Sequence, residues 1–586
     1  MSDLLFKKVD YTVGKLLEDI AMGEIGLPDI QRPFVWDTTR VRNLFDSMYR
    51  GYPIGTLLFW ENGYPGEHRT IGVEGKQKVP HLLIVDGQQR LTALYAVIKG
   101  VAIVDDEFQQ RRLRLAFTPL EERFEVTNTA VEFDPAWIPD ICVLWRRDLD
   151  QYSFVFNFLE NLARRRELSQ DERRRIPQAI QRLVNLVNYP MTALEISASA
   201  TEEQVSEIFV RINSQGRTLN QADFILTLMS VFWDGGRKAL EEFCRRAKQP
   251  PPDGRPSPYN LYFQPSPDQL LRVDVALAFR RAKLENVYSI LRGKDLQTGE
   301  FSAERRDAQF ALLREAQSDV LNVQHWHDFL KVLKRAGYIH PSMITSETAV
   351  VYTYALWLIG RRDIGFDQHT LRNLMARWFF MSALTGRYSS SPEGRMDQDL
   401  ALLRGCTRPE EFVQALEQEM NAVLTRDYWE TTLPNELATA SGRSRGQSAF
   451  FAALCILDAP VLYSTMKVRD LLDPTGQARK QALERHHLFP RKFLQRQGAA
   501  DRRDINQVAN HALVEWHDNI KISDRSPADY APEYERRFPA HVLEEMYRYH
   551  ALPSGWYTMD YRSFLEARRK GIAAIIREGF RRLSED

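Results

Sequence analysis

Apolar residues recur at helical spacing early in the chain and mark a first helix between Thr38 and Arg50. Asp37 or Thr38 can cap its N-terminus, because both side chains accept hydrogen bonds from free backbone amides. Gly51 and Pro53 follow, and both residue types commonly end helices. The pattern predicts a helix with one buried face, formed by Val41, Leu44, Phe45 and Met48.

Two apolar runs after this helix have the length and residue types of buried strands, Ile54–Trp60 and His81–Val85. The second run leads through a tight turn into Gln88–Lys99, whose apolar residues lie on one helical face. A further helical pattern spans Glu202–Ile212. Strands that alternate with helices in this way predict a mixed α/β domain over residues 1–235.

The clearest interruption of these patterns is Gln249–Gln269, which contains seven prolines. Proline has no backbone N–H, so this segment cannot form a continuous helix, and we expect a linker or a long exposed loop. Mainly helical patterns follow, such as Thr348–Ile359 and Thr370–Leu384. The sequence therefore predicts a linker plus a helical spacer or dimerisation domain over residues 236–430.

A third domain is predicted over residues 431–586. It opens with Asn435–Gln447, where glycine, serine and arginine predict a flexible stretch. The apolar segment Ser448–Leu457 then predicts a helix. The chemistry-bearing residues of this domain come later, between 484 and 524.

Charge and cysteine content indicate how the protein could hold nucleic acid and which cellular compartment suits it. The chain has 78 Lys and Arg against 78 Asp and Glu, so any nucleic acid must be held by local patches. Two arginine triplets, 164–166 and 173–175, are interpreted as a solvated helix face because acidic residues lie among them. Four scattered cysteines without a Cys-x-x-Cys pair favour a reducing cytoplasm. We see neither a signal-peptide pattern nor an apolar run of the ~18 residues a membrane helix needs.

The strongest chemical pattern joins the adjacent pair His486 and His487 with Asn510 and Asn519. A histidine with its ordinary pKa of about 6.5 suits the role of the base that deprotonates water in phosphodiester hydrolysis. A neighbouring histidine and an asparagine carbonyl can hold Mg²⁺ or Mn²⁺ and leave positions open for phosphate and water. Two further histidines close by are rival metal ligands, His511 and His517.

This order and spacing resemble the HNH, or ββα-metal, nucleases, and within them the DUF1524 branch with its His-x-x-x-Pro signature. The resemblance implies that His487 is the general base and His486 the first metal ligand. It implies that Asn510, on the second strand, orients the base, and that Asn519 is the ligand that opens the helix. Because His486 stands where relatives often have Asp or Glu, metals softer than Mg²⁺ are also expected to work.

A second candidate site is the strand-to-helix turn Asp86-Gly87-Gln88-Gln89-Arg90. Free amides at a helix N-terminus attract anions, and an arginine in the first turn can add a bidentate phosphate contact. Asp86 could hold a metal or a water. A structural alternative is a buried turn in which Arg90 pairs with Asp86.

This turn resembles the signature of the DUF262 family, whose domain is similar to ParB and sulfiredoxin. Two other blocks match the same family, Leu27–Trp36 and Phe209–Gly216. In relatives the three blocks converge on a nucleotide phosphate. The resemblance thus implies an ATP or GTP site that includes Asp86, Gly87, Gln88, Gln89 and Arg90 and, from the other blocks, Gln31, Arg32, Arg211 and Asn213.

A DUF262 domain and a DUF1524 domain in one chain resemble the GmrSD family of type IV restriction enzymes, including its BrxU-like single-chain members. The resemblance implies a prokaryotic, cytoplasmic homodimer that cleaves double-stranded phage DNA with modified cytosines, such as glucosylated hydroxymethylcytosine, under nucleotide control. Two alternatives remain open. One is an SspE-like nickase that senses phosphorothioate DNA, and the other is a ParB-like DNA-binding switch without cleavage.

Overall fold

The structure is a computed structural model. It describes residues 4–28, 34, 36–61, 68–69, 81–104, 110–200, 204–205, 208, 221–251, 254–294, 302–441, 443–474, 483–498 and 501–585. The chain divides into two compact units, residues 1–234 and 235–586. The boundaries predicted at 235/236 and 430/431 stay predictions.

The first unit contains a small mixed sheet. Its strand order is β1-β10-β3-β5-β2-β4, in which parallel and antiparallel neighbours alternate. Two separate hairpins, β6-β7 and β8-β9, complete its described strands. The strands are β1 (Phe6–Thr12), β2 (Ile25–Pro28), β3 (Leu57–Glu61), β4 (His68–Arg69), β5 (Leu82–Asp86), β6 (Ala102–Val104), β7 (Gln110–Arg112), β8 (Leu115–Thr118), β9 (Arg123–Val126) and β10 (Pro190–Ile196).

Helices surround this sheet and supply most of the buried apolar side chains of the unit. They are α1 (Val13–Met22), α2 (Thr38–Tyr49), α3 (Gln88–Lys99), α4 (Thr129–Phe133), α5 (Gln151–Ala163), α6 (Gln170–Val184) and α7 (Gln221–Phe232). The opposite face of the sheet buries Leu58, Trp60 and Leu83 in a smaller cluster. The helix predicted at Glu202–Ile212 falls largely outside the described residues.

The two helices predicted from local signals are confirmed. Asp37 caps α2, and its carboxylate accepts a hydrogen bond of 2.8 Å from the Arg40 amide. Gly100 ends α3 in the left-handed conformation, which glycine adopts without steric cost. Between them, the strand predicted from Ile54 begins only at Leu57. Gly55 has a φ of +89°, so the preceding residues form a turn instead.

The second unit is mainly helical. Its helices are α8 (Asp234–Lys248), α9 (Pro267–Phe279), α10 (Leu284–Leu291), α11 (Ala303–Val320), α12 (Val323–Arg335), α13 (Glu347–Ile359), α14 (Gln368–Thr385), α15 (Pro392–Leu402), α16 (Pro409–Val423), α17 (Leu433–Glu436), α18 (Arg445–Ile456), α19 (Val468–Leu472), α20 (Arg491–Arg496), α21 (Arg502–Ile505), α22 (Trp516–Ile522), α23 (Pro527–Glu535), α24 (Ala540–Tyr549) and α25 (Tyr561–Arg582). Its strands are β11 (Leu483–His487) and β12 (His511–Glu515). Helix α18 contacts both α14 and α25, so the helical region and the C-terminal region pack together.

The proline-rich segment 249–269 is exposed only in part. Residues 249, 250 and 254–256 are exposed, but the second half packs into the unit, where Ser257, Asn260 and Phe263 are buried, unlike the exposed loop that we predicted. Its role as a linker stays a prediction. The indole of Trp326 donates a 3.1 Å hydrogen bond to the Pro258 carbonyl. Proline removes backbone donors but leaves the carbonyls, and neighbouring side chains satisfy these.

Charged groups lie inside this helical unit as well. Arg387 forms an ion pair with Asp399 and is also bonded to Glu419 at 2.7 Å. Asp274 is fully buried and accepts a hydrogen bond of 3.1 Å from Gln317. In the described part of the chain, its second carboxylate oxygen has no partner. In the part of the chain that the structure describes, no helix is long and apolar enough to cross a membrane.

Candidate active site

A short hairpin followed by a helix carries the C-terminal candidate residues. Strands β11 and β12 pair antiparallel, with His486 opposite Ala512 and His487 opposite His511. Three consecutive residues of β12 are buried, so the hairpin is anchored in the core. Helix α22 begins directly after β12 at Trp516. The hairpin and α22 are therefore contiguous in the chain and contact each other in space.

His486 and Asn519 meet between β11 and α22. The imidazole Nδ1 lies 2.8 Å from the Asn519 Oδ1, while the buried Nε2 finds no hydrogen-bond partner among the residues that the structure describes. Burial lowers the pKa of His486 to about 4, and the Asn519 hydrogen bond opposes this shift only partly. His486 is therefore neutral at physiological pH, which is the form of histidine that binds a metal.

His487 is half-buried and contacts a different asparagine. Its Nε2 lies 2.9 Å from the Oδ1 of Asn506. Burial lowers the pKa of His487, the Asn506 hydrogen bond opposes this, and the nearby cations Arg491 and Arg485 lower it further. The ring is thus held in its neutral form, in which it can accept a proton.

Asn510 does not make the contact to His487 that the sequence led us to expect. It is fully buried, and its Oδ1 accepts a 2.9 Å hydrogen bond from the Phe489 amide. Its Nδ2 donates to the carbonyls of Phe489 and Ile505, at 3.0 and 2.9 Å. The physical reason is that a buried turn needs partners for its backbone groups, and Asn510 supplies them. Asn506 holds the ring of His487.

The two rival histidines occupy different environments. The ring centroid of His511 lies 4.3 Å from that of His487, so His511 neighbours the candidate base. Its Nδ1 contacts the Gln507 carbonyl at 3.0 Å, and burial lowers its pKa to about 3. His517 is exposed on α22.

Arg568, on α25, is a buried cation behind the hairpin. Its Nη1 donates a 2.6 Å hydrogen bond to the Ala509 carbonyl, next to Asn510, and its Nε donates to the His550 carbonyl at 3.1 Å. Burial lowers its pKa to about 9. Sequence reasoning missed Arg568, although an arginine among the apolar positions of a helix is a signal that could have found it. Asn506 had no comparable signal.

The fit of a divalent cation to the candidate site depends on two possible ligands, His486 and Asn519. Among the described residues, no group of three or more His, Cys, Asp and Glu is placed to hold a metal. The His486 Nδ1 donates to the Asn519 Oδ1 at 2.8 Å, so without a cation Nδ1 carries a proton that a metal bound to both atoms would displace. Adjacent ligands of an octahedral cation with bonds of about 2.1 Å are themselves about 3 Å apart. The pair therefore fits two neighbouring positions of one cation and leaves the others for water and phosphate.

In the N-terminal unit, Arg90 is engaged by the protein itself. Its Nη1 donates to the Ile54 carbonyl at 2.7 Å and its Nη2 to the Thr56 carbonyl at 2.8 Å. Nη2 also lies 3.2 Å from an Asp86 oxygen, so the structural alternative considered for this turn is observed. Arg90 thus clamps the turn before β3 to the start of α3. Its role toward phosphate stays a prediction.

The amide side chains of the same turn lie where the sequence predicts, at the N-terminus of α3. Gly87 precedes them as the N-cap residue with a φ of +93° and has no side chain of its own to accept from the helix amides. This left-handed conformation favours glycine, and a Cβ there would also press on the Leu57 side chain at 2.3 Å. Gln88 and Gln89 are half-buried in this first turn. The remaining predicted nucleotide ligands lie outside the described residues: Gln31, Arg32, Arg211 and Asn213.

Comparison with known proteins identifies the class of the N-terminal unit. Residues 13–230 match the family model described as GmrSD restriction endonuclease, N-terminal domain. The match supports a GmrSD-like family and indicates a function of the restriction-endonuclease type, with nuclease activity and DNA binding. An uncharacterized protein of Methanocaldococcus jannaschii is 24% identical over 550 residues, which cover 87% of this chain and 84% of the relative. That likeness extends beyond the matched domain into the second unit.

Proposed function

We propose that the chain is a metal-dependent DNA endonuclease of the HNH type. The observation that carries the proposal is the hairpin and helix that bring His487 beside a His486–Asn519 pair suited to one cation. The family match of the N-terminal unit supports the same class of activity. In this assignment His487 is the general base, and His486 and Asn519 hold Mg²⁺ or Mn²⁺.

In the proposed reaction, the ring of His487 is the base, and the side chains of His486 and Asn519 are the metal ligands. Neutral His487 takes a proton from the attacking water, which makes the water a better nucleophile toward phosphorus. A divalent cation, when bound, supplies charge that stabilises the phosphate oxygens of the transition state. His486 is neutral, so a cation that binds its Nδ1 has to displace only the proton shared with the Asn519 Oδ1. Asn510 and Arg568 support the hairpin from behind.

Surface features around the candidate site suit a DNA backbone. Arg491 and Lys492 are exposed at the start of α20, and Arg491 is close enough to lower the pKa of His487. On α22, Trp516 and Ile520 are 39% and 54% exposed, and Lys521 follows them. Cations neutralise phosphates, and exposed apolar side chains can contact bases or sugars. These residues supply the local patch that a chain with zero net charge needs.

The N-terminal unit provides the proposed control. We assign ATP or GTP to the turn at the start of α3, where Gly87, Gln88 and Gln89 lie at an uncapped helix N-terminus. By the resemblance to type IV enzymes, the DNA substrate is phage DNA with modified cytosines, and the working form is a homodimer. These assignments rest on the family match and on the sequence blocks.

The decisive experiment measures cleavage of matched phage DNAs that differ only in cytosine modification, with Mg²⁺ and with or without ATP or GTP. We expect cutting of the modified DNA and a dependence on nucleotide. Nicking of phosphorothioate DNA alone would favour the SspE-like alternative. Specific binding without any cleavage would favour a ParB-like switch.

The variant His487→Ala tests the assignment of the base. We expect cleavage to fall by about 10²–10⁴-fold, the usual contribution of a positioned base, with unchanged DNA binding and melting temperature. His541→Ala is the matched control, because His541 is exposed on α24 outside the site. If His487→Ala cuts like the parent protein, the base is another residue and His511 is the next to test.

A further inference from the structure

The partner of His487 determines which of its two nitrogens carries the proton. A carbonyl oxygen can only accept a hydrogen bond, so contact with the Asn506 Oδ1 places the proton on Nε2. The lone pair is then on Nδ1. Neutral imidazole has one donor and one acceptor nitrogen, and a base can use only the acceptor.

The neighbouring ring, that of His511, carries its proton on the other nitrogen. His511 donates from Nδ1 to the Gln507 carbonyl, so its Nε2 carries the lone pair and no proton. His511 in this state cannot donate a hydrogen bond to His487 from Nε2. The two partners, Asn506 and Gln507, are consecutive residues. One short segment therefore determines which nitrogen carries the proton in both rings.

That segment is itself held in place from three sides. The Val508 amide donates to the Thr439 carbonyl at 2.9 Å. Arg569 on α25 donates to the Gln507 Oε1 at 3.3 Å, and Asn510 donates to the Ile505 carbonyl at 2.9 Å. A hydrogen-bond acceptor on an anchored segment orients a ring better than one on a free loop.

We propose that Asn506 is the positioning residue of the nuclease site: it holds His487 in the tautomer whose Nδ1 accepts the proton of the attacking water. The inference rests on the proposed function. It also separates two asparagines that look alike in the sequence, since Asn506 acts on the ring and Asn510 on the backbone of the turn.

Three variants test this role in the full chain. Asn506→Leu keeps the size of the side chain and removes the acceptor, while Asn506→Asp keeps an acceptor oxygen. We expect Asn506→Leu to lower kcat by about 10–100-fold with little change in KM, the usual cost of losing such an orienting contact. Asn506→Asp should restore most of kcat. Asn421→Leu, at an exposed asparagine of α16, is the matched control and should cut like the parent protein.

Melting temperatures check that each variant is folded, and Asn506→Ala replaces the leucine variant if that one is not. A folded variant without the acceptor that keeps the parental kcat would overturn the proposal. An aspartate variant as slow as the leucine variant would also overturn it, because rescue needs only the acceptor oxygen.

A spectroscopic measurement separates this inference from the proposed function. In protein labelled with ¹⁵N-histidine, the His487 signals are identified by their loss in His487→Ala. We expect Nε2 to be protonated in the parent protein and the preference to disappear in Asn506→Leu. A proton on Nδ1 in the parent protein would overturn the inference even if DNA is cut. If no DNA is cut but Nε2 is protonated, the proposed function fails while the positioning contact stands.

Discussion

Asp274 is a carboxyl group in the core of the helical unit, and it accepts a hydrogen bond from a neutral partner, Gln317. Burial raises its pKa well above the ordinary value. The folded state therefore binds this proton more tightly than the unfolded state. Its contribution to stability is complete below the unfolded pKa and is lost as pH rises toward the folded pKa.

We accordingly expect Asp274→Asn to raise the free energy of unfolding more at pH 8 than at pH 4. Asparagine is neutral at both pH values and can still accept the hydrogen bond from Gln317. Chemical unfolding at the two pH values measures the difference. An equal effect of the substitution at pH 4 and pH 8 would show that Asp274 is not protonated preferentially in the folded state.

The candidate site shows which residues could be predicted from the chain. His486, His487 and Asn519 form a short pattern whose spacing matches one strand and one helix. In the structure, His486 and Asn519 are in contact. Asn506 and Arg568 act through contacts that depend on tertiary folding. No local pattern tells that Asn506 faces a ring while Asn510 faces the backbone.

At the scale of elements, the hairpin depends on Asn510. Asn510→Ala would remove the partner of the Phe489 amide and carbonyl and would leave the Ile505 carbonyl with only a 3.4 Å hydrogen bond from the Tyr561 hydroxyl; each buried group left unpaired costs about 1–3 kcal/mol. We expect a lower free energy of unfolding, measured with denaturant, and lower cleavage as a consequence. Asn421→Ala is the control. A variant as stable as the parent would show that water replaces the amide, and that Asn510 does not brace the turn.

The contacts of Arg90, at the start of α3, lead to a similar prediction about the stability of the N-terminal unit. Arg90→Ala removes the donor for the carbonyls of Ile54 and Thr56. We expect the free energy of unfolding to fall by roughly 1–3 kcal/mol, since one or both carbonyls lose their partner. Arg165→Ala, at an exposed arginine after α5, should change little and serves as the control. If Arg90→Ala weakens nucleotide binding without any loss of stability, Arg90 contacts phosphate rather than the turn.

Elements with local signals were predicted well, and elements that depend on distant partners were not. Helix α2 has its cap and its stop within a few residues of its ends, and the same holds for α3. Strand β3 starts three residues later than predicted, after Gly55 with its φ of +89°, and Arg90, far along the chain, binds the carbonyls that precede the strand. The second half of the segment 249–269 is buried, and Trp326, which is distant in sequence on α12, is one of the side chains that contact it.

For the whole molecule, we expect the proposed metal to be needed for chemistry and not for folding. His486 and Asn519 lie on β11 and α22, which contact a strand, β12, with three buried apolar residues, so we expect the apolar core to hold them in place without a cation. We expect EDTA to abolish cleavage, added Mg²⁺ or Mn²⁺ to restore it, and the melting temperature to stay unchanged. Asn519→Ala should raise the metal concentration that cleavage requires.

Two results would contradict this expectation. Cleavage that persists in EDTA would exclude a divalent metal from the reaction. A melting temperature that falls on chelation would reveal a structural metal bound elsewhere in the chain. Measuring unfolding and cleavage in the same samples keeps the two outcomes apart.

The contact between Arg568 and the Ala509 carbonyl has a consequence for synthesis of the protein. The ribosome makes both strands of the hairpin before it makes α25, since the hairpin ends at residue 515 and α25 begins at Tyr561. A nascent chain therefore carries His486 and His487 before their support exists. We therefore expect the candidate site to reach its final geometry only after α25 has left the ribosome, so that, on the proposed function, unfinished chains cut DNA poorly.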